Sequence, residues 1–247
     1  MKLEKIVEFL DEYLRTKEIE DDCNNGLQIE CDTDIKKIGF SVDACIDLFK
    51  RGQKENCQLL IVHHGLLWGG IFYINGFQCK RIKELIKNNM GLYAAHLPLD
   101  VHPEVGNTVE LARLLRFEIS GNFFTYKNVN LGLLCKTRTT REELTARIEQ
   151  ELGDCTVLDF GPDQIEKVGM VTGSGTQALE SAVQSGCDMF ITGEPKHASY
   201  HMAKECCINV MYAGHYQTET LGVKALMKKV SDAFEVETAF FDIPTGF

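Results

Sequence analysis

The sequence predicts an α/β protein of two similar lobes, with a site for ligands in the cleft between them. Three observations predict it. Strand-like and helix-like segments alternate along the chain, the pattern of α/β architecture with largely parallel sheets. Residues 35–64 recur without a gap as residues 165–194. The length, 247 residues, suits two domains of ordinary size, since domains usually hold about 100–150 residues.

The elements follow in order. Leu3, Ile6, Val7, Leu10 and Leu14 recur at helical spacing, so the chain opens with an amphipathic helix. Apolar, β-branched runs predict strands at 35–42, 58–62, 91–95, 129–135, 167–172, 189–192, 208–213 and 236–241. Between them, helical periodicity predicts helices at 44–54, 81–88, 107–115, 141–152, 177–184, 199–205 and 220–234. The lobes are expected at residues 1–116 and 117–247, with the C-terminal segment free to pack on the first.

Composition narrows the classes of function. Acidic residues outnumber basic ones by 36 to 26, a net charge of −10, so the surface as a whole repels a phosphate backbone and general nucleic-acid binding is disfavoured. The N-terminal stretch carries charges throughout and reads as no targeting segment. No apolar run approaches the roughly 20 residues that span a bilayer, so no membrane partner and a cytoplasmic location are expected. Ten cysteines are spread along the chain without a CxxC pair, which reads as reduced, mostly buried thiols.

The internal echo carries the functional signal. Ile35, Lys37, Gly39, Cys57 and Ile61 recur as Ile165, Lys167, Gly169, Cys187 and Ile191, each copy reading strand, helix, strand. A polar residue ends each copy, His64 in one and Glu194 in the other. A second echo follows, His96 with Asp100 and His215 with Glu219, each acid four residues beyond its histidine. Such agreement of successive blocks favours an internal duplication.

Open α/β sheets bind ligands beyond the carboxyl ends of their strands. His63 and His64 follow LLIV, His96 follows LYAA and His215 follows VMYAG. If the two copies face each other, these imidazoles converge with the carboxylates of Asp100 and Glu219. Imidazole nitrogens and carboxylate oxygens are the ligand set of first-row divalent ions, and a carboxylate can bridge two of them. Neighbouring side chains on a regular strand point to opposite faces, so His63 and His64 are expected just past the strand end, each reaching a different ion. Two ions would activate water and polarise a substrate oxygen, the basis of a metallohydrolase.

A rival pattern lies in VGMVTGSGTQALE. Gly173, Gly175 and Ala178 fit the GxGxxA dinucleotide fingerprint, with Glu194 about 20 residues on at the next strand end. The matching turn of the first copy, residues 41–46, lacks glycine, and a dinucleotide-binding oxidoreductase is the weaker reading.

Together NNGLQIE at Asn24, IVHHGLLW ending at Trp68, AAHLPLD ending at Asp100, HPEVGN at His102, TGSG at Thr172, FITGE ending at Glu194, AGHYQTE ending at Glu219 and the terminal FFDIP resemble the NIF-three-like family of dinuclear-metal proteins. Its members are often labelled GTP cyclohydrolase I type 2 homologues, and the resemblance, to the short prokaryotic form, spans essentially the whole chain. It implies two α/β lobes around a two-metal site and a toroidal homohexamer. Carried over by position, the metal ligands are His63, His64, Asp100, His215 and Glu219, holding two divalent ions (zinc, iron, manganese, cobalt or nickel). His96, Glu194 and His201 fall at positions near that site, facing the ligands or a small-molecule substrate; His197 reads as a surface residue. The label implies water attack on the imidazole portion of guanine, with ring opening, release of formate and proton transfer by His96 or Glu194. A non-catalytic metal-binding regulatory or interaction protein is the alternative, and metal-dependent turnover discriminates the two.

Overall fold

The computed structural model describes residues 1–70 and 73–247. It divides into two compact units, Met1–Val105 with Gly222–Ile243, and Gly106–Leu221 with Pro244–Phe247. Each unit is a sheet with helices, the α/β class that the alternation predicts.

The first unit opens with α1 (Leu3–Leu14), whose Leu3, Ile6, Leu10 and Leu14 are buried, as the apolar stripe requires. Then come β1 (Gly26–Ile29), β2 (Lys37–Asp43), α2 (Ile46–Lys54), β3 (Leu59–His64), α3 (Gly76–Lys87), β4 (Gly91–Ala94) and the one-turn α4 (Leu97–Asp100). The sheet order is β1-β4-β3-β2, closed on the far side by the last strand of the chain, Glu237–Phe240. All pairings are parallel except that of β1 with β4. Strands buried on both faces read as continuous apolar runs, and LLIV is one of them. Leu48, Phe49, Leu60, Val62, Ile82, Leu85 and Leu92 form the core on one side of this sheet.

The second unit contains α5 (Asn107–Leu114), β5 (Glu118–Tyr126), β6 (Val129–Thr140), α6 (Arg141–Leu152), β7 (Thr156–Asp159) and β8 (Gln164–Met170). A 3₁₀ turn (Thr176–Ala178) leads into α7 (Leu179–Gln184), then β9 (Met189–Thr192), α8 (Ser199–Glu205) and β10 (Asn209–Tyr212). The long α9 (His215–Ala233) follows, and the strand Glu237–Phe240 is β11. Thr140 caps α6 in a reciprocal box with Glu143, which fixes that helix start at the predicted residue. Here the expectation of a largely parallel sheet needs correction. The order is β5-β6-β8-β9-β10-β7, and only the β8, β9 and β10 pairings are parallel. Lys127 and Asn128 both take positive φ, 44° and 64°, the backbone of a two-residue hairpin, and a hairpin makes β5 and β6 antiparallel.

The sequence echo corresponds to a repeated register. Ile38 pairs with Leu59 and Phe40 with Ile61 in the first unit; Val168 pairs with Met189 and Met170 with Ile191 in the second. The polar details repeat too. Gln58 Oε1 accepts from the Lys36 and Lys37 N–H groups at 2.8 and 2.9 Å, and Asp188 Oδ2 accepts from those of Glu166 and Lys167 at 2.9 and 2.8 Å. One side chain thus ties down the equivalent pair of amides along the corresponding strand in each unit.

Burial bears out the reading of the cysteines for half of them, while Cys206 and Cys207 are exposed. All ten are free thiols, and Cys23, Cys31, Cys57, Cys135 and Cys187 are buried. Burial pushes the Cys23 and Cys135 thiols up to about 12, which leaves them inert. Among the described residues no helix is long and apolar enough to cross a membrane.

Candidate metal centre

The histidine-rich end of the first unit is built by three chain segments. β3 ends on His63 and His64, both still within the strand rather than just past it as the sequence reading expects. Their rings lie close all the same, with centroids 4.6 Å apart. β4 stops at Ala94 while β3 runs on to His64, so the last two residues of β3 flank an open strand end. His63 is fully buried and its Nδ1 donates to the Ala95 carbonyl at 2.9 Å. His64 Nδ1 donates to Asp43 Oδ1 at 2.8 Å, and the two residues are registered across β2 and β3.

The HLPLD segment is a single helical turn. His96 caps it, Pro98 sits in its first turn where no amide is needed, and the Asp100 N–H donates to the His96 carbonyl at 3.0 Å. The buried Asp100 carboxylate is thereby brought to 3.6 Å from His63 Nε2. His96 Nδ1 faces both oxygens of Asp21 at 3.0 Å, and ring nitrogens of His63, His64 and His96 lie within 4.8 Å of one another. Burial opposes ionisation of Asp21, yet the hydrogen bond and charge of His96, with Asn25 and the Leu97 N–H, hold its carboxyl down at about 2.

The NNGLQIE motif is the clamp behind this end. Asn25 Oδ1 accepts from the His96 N–H at 2.7 Å, and its Nδ2 donates to Asp21 at 2.8 Å. Gln28 Oε1 accepts from the Leu66 and Leu67 N–H groups at 2.7 and 3.1 Å. Gly65 is forced by this closeness, because a Cβ there would meet Gln28 Nε2 at 2.5 Å and Ala94 at 2.6 Å.

The second unit presents the HxxxE pair. α9 begins at His215, five residues before the predicted 220, so His215 and Glu219 are one turn apart on one helix face. His215 Nε2 lies 3.1 Å from Glu219 Oε2, and His215 Nδ1 donates to Glu194 Oε2 at 2.9 Å. Burial disfavours a charged His215, but the hydrogen bonds and charges of Glu219 and then Glu194 lift its pKa to about 9. Two carboxylates that stabilise a proton here create a field that favours any cation.

The first glycine of TGSG serves this pair. Gly173 has φ +61°, and a Cβ on it would stand 1.9 Å from Glu219 Oε1 and 3.3 Å from His215 Nε2. Its N–H donates to Thr218 Oγ1 at 3.1 Å. The first glycine of the apparent dinucleotide fingerprint therefore makes room for a carboxylate, and the fingerprint's acidic residue Glu194 is engaged by His215.

One property unites the histidines at these three strand ends. His63, His64, His96 and His215 each commit Nδ1 to an oxygen that can only accept, so Nδ1 carries a proton and coordination of a cation falls to Nε2. This is the outer-shell arrangement typical of metal-binding histidines. His102, by contrast, is spent on structure: Nε2 donates to the Tyr13 carbonyl at 2.9 Å, and Nδ1 accepts from the Glu104 and Val105 amides. His201 is exposed on α8 with its ring 5.4 Å from that of Tyr200. Among the described residues it belongs to no group of converging donor atoms. His197 is exposed just before α8.

Asp21 and Asp43 are the residues of this candidate site that sequence reasoning misses. Asp43 could have been found by pairing β2 with β3, since it falls opposite His64; nothing in the pattern marks Asp21.

An α/β fold whose strand ends carry imidazoles with pinned Nδ1 atoms beside buried carboxylates has the donor set of a metal-binding protein. The profile of the Duf34/NIF3 (NGG1p interacting factor 3) family matches residues 1–246, and the chain belongs to that family. Relatives in Archaeoglobus fulgidus and Pyrococcus abyssi, each named GTP cyclohydrolase 1 type 2 homolog, are 44% identical to it over 248 and 252 residues, covering 100% of both chains. A crystal structure of TTHA1606 from Thermus thermophilus shares 39% identity and superposes with a TM-score of 0.90 over 100% of both chains.

Proposed function

We propose that this protein is a dinuclear metal-dependent hydrolase acting on a small molecule, of the class named in its relatives as GTP cyclohydrolase 1 type 2 homolog. The proposed ligands are His63, His64 and Asp100 from the first unit and His215 and Glu219 from the second. The observation that carries the reading is the shared polarity of the histidines, with Nδ1 of each held by an acceptor, which assigns a cation to Nε2. The mixture of imidazole and carboxylate donors suits zinc, iron, manganese, cobalt or nickel. When bound, two such ions supply Lewis acidity and activated water at neutral pH.

The chain's own residues do the rest. Asp43 and the Ala95 carbonyl orient His64 and His63, and Glu194 orients His215. His96, its Nδ1 held by Asp21, takes a proton at Nε2 from the attacking water and returns it to the nitrogen that departs when a C–N bond of the substrate ring is hydrolysed. The test is formate release from GTP by metal-loaded protein. Turnover should vanish with a chelator, return on reloading, and be absent in Asp100→Ala; GTP left intact by wild type and variant alike overturns the reading.

The assembly proposed with it is a homohexamer. Sedimentation equilibrium should return six times the chain mass, and a monomer at every concentration removes this part.

A further inference from the structure

Trp68 is the only tryptophan of the chain, and it stands beside the proposed centre. Its indole lies 5.0 Å from the His96 ring and 6.2 Å from that of His64, centroid to centroid. It is held firmly there. Its backbone forms an isolated antiparallel bridge with Cys23, flanked by hydrogen bonds from the Asn24 N–H to the Leu67 carbonyl and from the Gly69 N–H to the Asp22 carbonyl. Its Nε1–H donates to the Gly65 carbonyl at 2.8 Å. The segment that grips it, residues 21–25, also holds His96 through Asp21 and Asn25. Despite these ties the residue keeps 39% of its surface exposed. A large apolar ring is thus fixed at the edge of a polar centre and left partly open.

Burial would be the ordinary fate of such a ring. Its bound N–H leaves the π-face as its remaining means of recognition, and a π-face selects flat aromatic partners. We propose that Trp68 is the platform on which a planar heteroaromatic substrate stacks, placing the ring beside His96; the inference rests on the hydrolase reading above. Stacking is indifferent to the pattern of ring substituents, because every base has a π-face. Trp68 therefore selects fused nitrogen heterocycles as a class, and adenosine is held nearly as well as guanosine.

Because Trp68 is the sole indole, protein fluorescence reports on it directly. Guanosine and adenosine, titrated into metal-loaded wild type, should quench it saturably, and ribose 5-phosphate should not. By equilibrium dialysis, Trp68→Leu should bind guanosine at least tenfold more weakly, since aromatic stacking typically changes affinity by about one to two orders of magnitude. Trp68→Phe should stay within about threefold, and both variants should retain their metal. Three results overturn the proposal: no saturable quenching by either nucleoside, unchanged guanosine affinity in Trp68→Leu, or a loss in Trp68→Phe as large as that in Trp68→Leu. If Trp68→Leu also sheds metal, the wild-type quenching and Trp68→Phe decide. Nucleoside binding without formate release leaves the platform standing and removes the hydrolase; formate release with unchanged KM in Trp68→Leu does the reverse.

Discussion

Elemental mass spectrometry of untagged protein is expected to find close to two divalent ions per wild-type chain and a large loss in Asp100→Ala and His64→Ala. Asp100 places a buried carboxylate oxygen 3.6 Å from the fully buried His63 Nε2. Its removal withdraws both a donor and the negative charge that offsets a cation. The loss should exceed the roughly 10–100-fold in affinity that removal of an orienting neighbour costs. Asp43→Ala, which leaves His64 in place without its 2.8 Å partner, should fall in that lower range. His201→Ala, on the exposed face of α8, should keep the full complement. Circular dichroism separates metal loss from unfolding. A folded Asp100→Ala protein with its full metal would refute the ligand assignment.

Gly173→Ala is expected to disable the centre without replacing any ligand. The added methyl would sit 1.9 Å from Glu219 Oε1 at a backbone φ of +61°, so the carboxylate must swing away from His215 or the turn must move. The backbone term alone is about 1–2 kcal/mol for a non-glycine residue in the left-handed region. Gly186→Ala isolates that term, because Gly186 has φ +67° and a methyl added there meets nothing within 4 Å. Urea unfolding should show the backbone cost in Gly186→Ala and a larger destabilisation in Gly173→Ala, while metal content should drop only in Gly173→Ala. Equal metal in the two would show that Glu219 tolerates displacement and is no ligand.

How far the sequence could be read depended on where each element lies in its sheet. The strands it missed, β1, β5 and β7, are all sheet edges. β5 is largely exposed and β1 and β7 are four residues long, so none shows a strong apolar alternation. The edge strand it did find, β11, has Ala239 and Phe240 half-buried and is followed by the buried Phe241. The site was legible where its residues came in short motifs, as in HH, HLPLD and HYQTE. Asp21 and Asp43 were not, because their roles come from tertiary register and a loop clamp that no spacing encodes. TGSG reads two ways in sequence, because glycines at a strand-to-helix turn admit a close carboxylate as readily as a phosphate; in the structure the group against Gly173 is the Glu219 carboxylate.

The parallel pairing of β11 with β2 has a bearing on the order of folding. The Ser41 hydroxyl donates to the Phe241 carbonyl across 200 positions of sequence, so a nascent chain that has just produced residue 221 holds every strand of the second sheet but only four of the first. During vectorial synthesis the later unit can complete its sheet while β2 still waits with an open edge, and an open parallel edge is a template for pairing with other chains. The unit that begins first is therefore the last to finish, and the slow, sequence-distant step of folding is the arrival of β11.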